Sequence, residues 1–186
     1  FIPVANVTHA CWRLAKQDNS LLAATSNGVY HITLDNKAAL LTSGNTMSLM
    51  VEKDGSFYGG GAEGVFHYQN GQRKLVNDIE KVVQIMRDNS GSIWIQNLYG
   101  KLWRDNGSGT YEPFTPDNQD EISTLVDFGN KIMPIGSHDT RPISYPTFSY
   151  HDMQDITWLT DNKGKQLYAY KNGSRDEKQS AYVYPL

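Results

Sequence analysis

Glycine recurs at Gly28, Gly64 and Gly100, each 36 residues from the last, and Gly55 and Gly91 are separated by the same interval. A second spacing runs inside the first: Gly55 to Gly64, Gly91 to Gly100 and Gly164 to Gly173 are each nine apart, as are Asn19 and Gly28. A period of this length constrains a chain more than any single motif does. A unit so small cannot bury its own apolar face and has to stack on its neighbours, as solenoid repeats and propeller blades do. The recurring glycines suit hairpin turns that need positive φ, and the Asp and Asn residues beside them can hydrogen-bond the turn backbone. Their first explanation is therefore structural.

The stretch Val82–Arg104 is the clearest copy of the unit. Val83, Ile85, Ile93, Ile95, Leu98 and Leu102 stand at strand-like spacing, interrupted by Asp88-Asn89-Ser90-Gly91. Earlier copies read the same way. After a mixed lead-in or closing strand over Val4–Trp12, Leu21–Thr25 and Val29–Leu34 flank Ser26-Asn27-Gly28, while Met47–Val51, Phe57–Gly61 and Val65–Tyr68 are divided by Lys53-Asp54-Gly55 and Ala62-Glu63-Gly64. The fourth copy is degenerate, with Thr124–Gly129 followed by Lys131–Ser137. Pro134 places that second strand at an edge or on a bulge. Ser137 to Asp155 is the longest polar, loop-like departure from the period. The fifth copy holds Ile156–Thr160 and Gln166–Tyr170, then a polar tip from Lys171 to Ser180, then Ala181–Tyr184. In that hairpin Tyr168 and Tyr170 can face Tyr182 and Tyr184.

A mix of 16 Gly, 11 Tyr and 4 Trp in 186 residues suits short strands joined by turns. The expected fold is all-β, a stacked array of about five degenerate antiparallel repeats, either a solenoid or a small or incomplete β-propeller-like array. It forms a single domain whose units run roughly over 12–46, 47–80, 81–118, 119–154 and 155–186. An incomplete arc would leave edges to be protected by another chain. A homodimer follows as an expectation, with exchange of the Tyr168, Tyr170, Tyr182, Tyr184 hairpin as its route.

A formal net charge of -3 with scattered lysines and arginines argues against a nucleic-acid partner. Cys11 is the only cysteine, so an internal disulfide and a multi-thiolate zinc cluster are both excluded. No run approaches the roughly 18 apolar residues of a membrane span. The start at Phe1 and the stop at Pro185-Leu186 are those expected of a fragment of a longer precursor.

Reactive chemistry is sparse. His9 and Cys11 can share a strand face, but no orienting third group lies near them in sequence. His138-Asp139 with Arg141, and His151-Asp152, have the flavour of metal ligands without a defining spacing, and turn capping explains them as well. Asp117, Asp120 and Glu121 read as a solvated loop, and Gly59-Gly60-Gly61 lacks the helix start of a phosphate loop. The short Asn-x-Ser/Thr triplets at Asn6, Asn106 and Asn172 carry little weight. No catalytic residue, metal or cofactor is expected. Trp94 belongs to the repeat core, whereas Tyr99 and Trp103 are candidates for a ligand surface together with His138, Asp139 and Arg141 in the departing loop.

Asp88-x-x-Gly91-x-Ile93-Trp94-Ile95 with Gly100 resembles the two-component-regulator propeller repeat. Gln96-Asn97 replaces that family's Gly-Thr pair, and Lys101 occupies an aliphatic place, with Leu102 one position later. Partial matches at Thr25 and Gly28, at Gly55, Gly60 and Gly64, at Gly136-Ser137, and at Asp161 and Gly164 extend the resemblance over about four-fifths of the chain. The resemblance implies the periplasmic sensor domain of a membrane-bound histidine kinase. Such a domain is non-catalytic, binds an envelope-derived ligand or protein, signals through its dimer arrangement, and meets the membrane only through flanking segments outside these residues. The alternatives are a stand-alone carbohydrate-binding or hydrolytic β-propeller and a non-enzymatic protein-interaction scaffold.

Overall fold

A computed structural model describes residues 4, 6–105, 107–115, 122–127, 132–136, 149–151, 154, 156–160, 166–171 and 174–182. The described residues form 18 strands and no helix. The chain divides into two compact units, residues 1–85 and 86–186.

In the first unit, β1 (Cys11–Gln17), β2 (Ser20–Thr25), β3 (Gly28–Ile32) and β4 (Ala38–Ser43) pair antiparallel in chain order. β5 (Thr46–Val51), β6 (Phe57–Gly61), β7 (Gly64–Gln69) and β8 (Gln72–Asn77) repeat that meander. Alternation places Leu22, Ala24 and Val29 of the first sheet against Leu49, Phe57 and Phe66 of the second, with Ala15, Leu41, Val51 and Tyr68 at the margin. Phe57 stacks on Tyr68 and meets Phe66 edge-on. The glycines of β6 allow close approach: a Cβ on Gly60 would lie 2.4 Å from Val82. Ser48 Oγ accepts the Ile85 N–H there at 2.9 Å.

The division between units falls inside β9 (Val82–Arg87), which forms a third meander with β10 (Ile93–Asn97), β11 (Leu102–Asp105) and β12 (Tyr111–Phe114). In the second unit Trp94 and Leu102 pack with Leu125 and Ile132, lined by Met86 and Phe114. β13 (Ile122–Asp127) and β14 (Ile132–Gly136) form a two-stranded sheet among the described residues, with Pro134 opposite Leu125. β15 (Ser149–His151), β16 (Ile156–Thr160), β17 (Gln166–Lys171) and β18 (Ser174–Tyr182) complete a further meander. Leu159, Tyr168 and Tyr170 there pack with Val126.

The repeat is structural as well as compositional. A bulge opens the first hairpin at Cys11/Arg13, at Thr46/Ser48 and at Ile122/Thr124, and another recurs at Val29/Tyr30 and Val65/Phe66. Bulges kept at one place in successive sheets mark equivalent positions. Consecutive four-stranded meanders are the blade pattern of propellers.

Several expectations need correction. The first strand is Cys11–Gln17, not a segment from Val4. β4, β8 and β12 fall where no strand was expected; none of their side chains is fully buried, so no alternation reveals them. The polar tip Lys171–Ser180 is mostly β18, a polar edge strand, and β15 lies within the stretch read as loop. The hairpin register also differs: Tyr182 is opposite Gln166 and Tyr170 is opposite Arg175, so neither of these two faces a tyrosine, and Tyr184 lies outside the described residues.

Candidate functional site

Each four-stranded sheet turns back on itself three times, and its first two turns hold clusters of ordered polar groups. Between β9 and β10 the Asp88 N–H donates to the Ser92 carbonyl at 2.9 Å and the Gly91 N–H to the Asp88 carbonyl at 2.9 Å. The same two bonds occur 36 residues earlier, from Glu52 to Ser56 at 2.8 Å and from Gly55 to Glu52 at 3.1 Å. Inside the later turn Asp88 Oδ1 accepts the backbone N–H groups of Ser90 and Ser92, both at 3.0 Å, and the Ser90 hydroxyl. Oδ2 accepts the Trp94 indole N–H at 2.8 Å and the Arg104 guanidinium at 3.2 Å. Burial pushes the Asp88 carboxyl up, but the donors from Ser90, Trp94 and Ser92 and the charge of Arg104 outweigh it, leaving it below the ordinary value.

Arg104 also stacks over Trp94, 5.0 Å from the ring centroid, and borders a cavity of about 360 Å³ with Ser92, Asp105, Glu112 and Phe114. Its counterpart in the second sheet is His67, which stacks on Tyr58 and lies 3.1 Å from Ser56 Oγ. There Asp54 takes the anchoring role, accepting the Ser56 hydroxyl and N–H and the Gln69 amide. The Ser56 donors lower the Asp54 pKa. Both clusters clamp a turn to the strand two places on. Their polar atoms are largely committed to that task.

The turns at the other end of these hairpins differ more. Thr25, Gly61 and Asn97 occupy one repeat position, 36 residues apart. The Thr25 hydroxyl caps the N–H groups of Asn27 and Gly28, each at 3.1 Å, and Gly61 approaches Asn45 so closely that a Cβ would lie 1.9 Å from its carbonyl oxygen. Asn97 Oδ1 caps the N–H groups of Tyr99 and Lys101, each at 3.1 Å. The turn after Asn97 carries one more residue than the turn after Gly61, because Gln96 pairs with Leu102 whereas Gly60 pairs with Val65. The longer turn holds out Leu98 and Tyr99, which are 60% and 62% exposed. The first and second sheets have Ser26-Asn27 and Ala62-Glu63 in that place.

Tyr99 is thus a surface residue on an ordered turn. Trp103 is half-buried in β11, between Ile95 and Pro113 on the flanking strands, and is not part of that tip. Tyr168 and Tyr170 are buried in the core of their own unit. For Tyr182 only the backbone is described, and His138, Asp139, Arg141 and Tyr184 lie outside the described residues. The His151-Asp152 pairing cannot be placed, since Asp152 is among the latter and His151 is described only by its backbone. Among the described residues no cluster of three His, Cys, Asp or Glu side chains could hold a metal ion. Cys11 is exposed and its thiol donates to the Arg13 carbonyl; partial desolvation raises its pKa, opposed by a hydrogen bond from the Arg13 backbone. Leu98 and Arg104 are the residues that sequence reasoning passed over. The signal for Leu98 was the late position of Leu102, which marks an inserted residue.

No protein family model and no curated protein sequence matches the chain. Solved structures do. Virginiamycin B lyase from Staphylococcus aureus is similar over 98% of this chain and 72% of its own, at 13% identity and a TM-score of 0.69. The extracellular domain of a proposed hybrid two-component system from B. thetaiotaomicron is similar over 98% of this chain and 36% of its own, at 15% identity and a TM-score of 0.61. A gluconolactonase from Xanthomonas campestris is similar over 95% and 77%, at 13% identity and a TM-score of 0.63. Likenesses at such identities carry the fold and nothing further. The chain has an all-β, propeller-like fold built from degenerate antiparallel repeats.

Proposed function

We propose that the chain is a non-catalytic, periplasmic signal-sensing domain of a sensor histidine kinase, binding an envelope-derived ligand and signalling through the arrangement of a homodimer. The observation that carries the reading is the Leu98–Tyr99 tip. An aliphatic and an aromatic side chain are held in solvent by a turn whose backbone is capped by Asn97, at a position where the neighbouring repeats have small or polar residues. A tyrosine fixed in this way offers a large amphipathic surface at little cost in conformational entropy, suited to a sugar ring or a peptide. The similarity to an extracellular domain of a proposed two-component system supports this reading. A ligand shifts such a dimer only through unequal affinity for its two arrangements.

The likeness to a gluconolactonase favours a second reading, a stand-alone carbohydrate-binding or hydrolytic propeller. The hydrolytic form of that reading is separated from the sensor by screening cell-envelope oligosaccharides, short peptides and sugar lactones for thermal stabilisation and for turnover. Saturable binding without turnover supports the sensor. Lactone hydrolysis by the purified chain would replace it with an enzyme.

A further inference from the structure

The repeat lets each face of one sheet be compared with its counterpart. In the second sheet Leu49, Val51, Phe57, Phe66 and Tyr68 form the face that packs on the first sheet. Pairing and spacing identify their counterparts in the first sheet. Leu21 corresponds to Phe57, Tyr30 to Phe66 and Ile32 to Tyr68, each 36 residues earlier. Leu14 pairs with Ala23 as Leu49 pairs with Gly59, and Lys16 pairs with Leu21 as Val51 pairs with Phe57. In the second sheet Leu49 is 5% and Phe57 0% exposed, whereas Leu14 is 57% and Leu21 41% exposed. Val4, Val7 and Ala38 cover part of Ala23, Tyr30 and Ile32. A groove of about 540 Å³ remains, bordered by Leu14, Lys16, Asp18, Leu21, Ile32 and Leu34.

One substitution within this pattern indicates the occupant. Lys16 stands where the second sheet has Val51, at the margin of the packed face, so whatever lies on this face meets an ammonium group at its rim. Asp18 borders the same groove, two residues on, and among the described residues neither Lys16 nor Asp18 has an ion-pair partner. An apolar centre with one basic and one acidic group at its rim is complementary to itself under a two-fold rotation.

We propose that this face pairs with the same face of a second copy of the chain, Leu14, Leu21 and Leu34 meeting their counterparts and Lys16 of each copy meeting Asp18 of the other. The inference rests on the dimeric sensor reading and names its contact surface.

Sedimentation velocity on the 186-residue chain tests it through two charge reversals. Lys16→Asp places two acids at each rim contact and Asp18→Lys places two bases there, so each variant alone should dimerise at least about tenfold more weakly than wild type. An equimolar mixture of the two restores both opposite-charge contacts, and a heterodimer of near wild-type affinity is expected. Leu21→Ser, which leaves the turn untouched, should weaken association about tenfold as well. Melting temperatures near wild type establish that the variants are folded. A wild-type dimer that persists in all the variants, or one lost in the single variants and not regained in the mixture, overturns this surface and leaves the dimeric sensor in place. A wild-type monomer at every concentration overturns both the surface and the dimer, while ligand binding remains the separate test of sensing.

Discussion

The indole N–H of Trp94 donates to Asp88 Oδ2 at 2.8 Å, joining the first residue of a turn to a tryptophan buried in the core six residues later. The Asp88 side chain is 10% exposed, and its two oxygens hold the turn, the tryptophan and Arg104 together. Asp88→Ala leaves a buried indole N–H and several turn donors without an acceptor. It should cost about 2–3 kcal/mol, read as a lower urea midpoint followed by tryptophan fluorescence. Asp88→Asn keeps one acceptor oxygen and should lose less.

The same carboxylate sets a pH dependence. Its folded pKa lies below the ordinary value, so its contribution to stability is complete above the unfolded pKa of about 3.9 and is lost as pH falls through the folded one. Wild type should therefore lose its advantage over Asp88→Asn on acidification below about pH 4. Urea titrations of both proteins from neutral to strongly acidic pH check this. An unchanged gap across that window would show that the carboxylate charge contributes nothing.

Two glycines with positive φ should respond differently to alanine. Gly71 has φ +78 and open space where a Cβ would stand, so Gly71→Ala should cost only the backbone penalty of about 1–2 kcal/mol. Gly64 has φ +122, and its Cβ would lie 2.2 Å from the Asn77 carbonyl oxygen. Gly64→Ala has to displace β8 and should lower the melting temperature clearly further. Equal effects at the two sites would mean that the approach of Gly64 to the outer strand is not a packing constraint.

Much of this fold was legible because inner strands and turns are written in periodic residues. Gly28, Gly64 and Gly100 mark one turn, and Leu22, Phe57 and Ile93 mark buried strand positions. The outer strands were not legible. β8 reads Gln-Arg-Lys-Leu-Val-Asn and is exposed along nearly its whole length, so its place is set by ladder bonds to β7 and leaves no mark in side-chain pattern. β18 is hidden in the same way by its run of charged and polar residues. At the candidate site Tyr99 stood out as an aromatic beside a turn, but Leu98 counted as a strand residue until the pairing of Gln96 with Leu102 showed the longer turn. The clamp of Arg104 on Asp88 escaped notice because the two are 16 residues apart and meet only through strand pairing.

The sensor reading depends most directly on the tip that this longer turn presents. Leu98 and Tyr99 are exposed, so Leu98→Ser with Tyr99→Ala should change stability by no more than about 0.5 kcal/mol. The decisive measurement is calorimetric titration of wild type and this double variant with the envelope oligosaccharide or peptide that stabilises wild type most. The account predicts an affinity at least about tenfold weaker in the variant at an unchanged melting temperature. Equal affinities in the two proteins would contradict it and move the ligand site away from the turn.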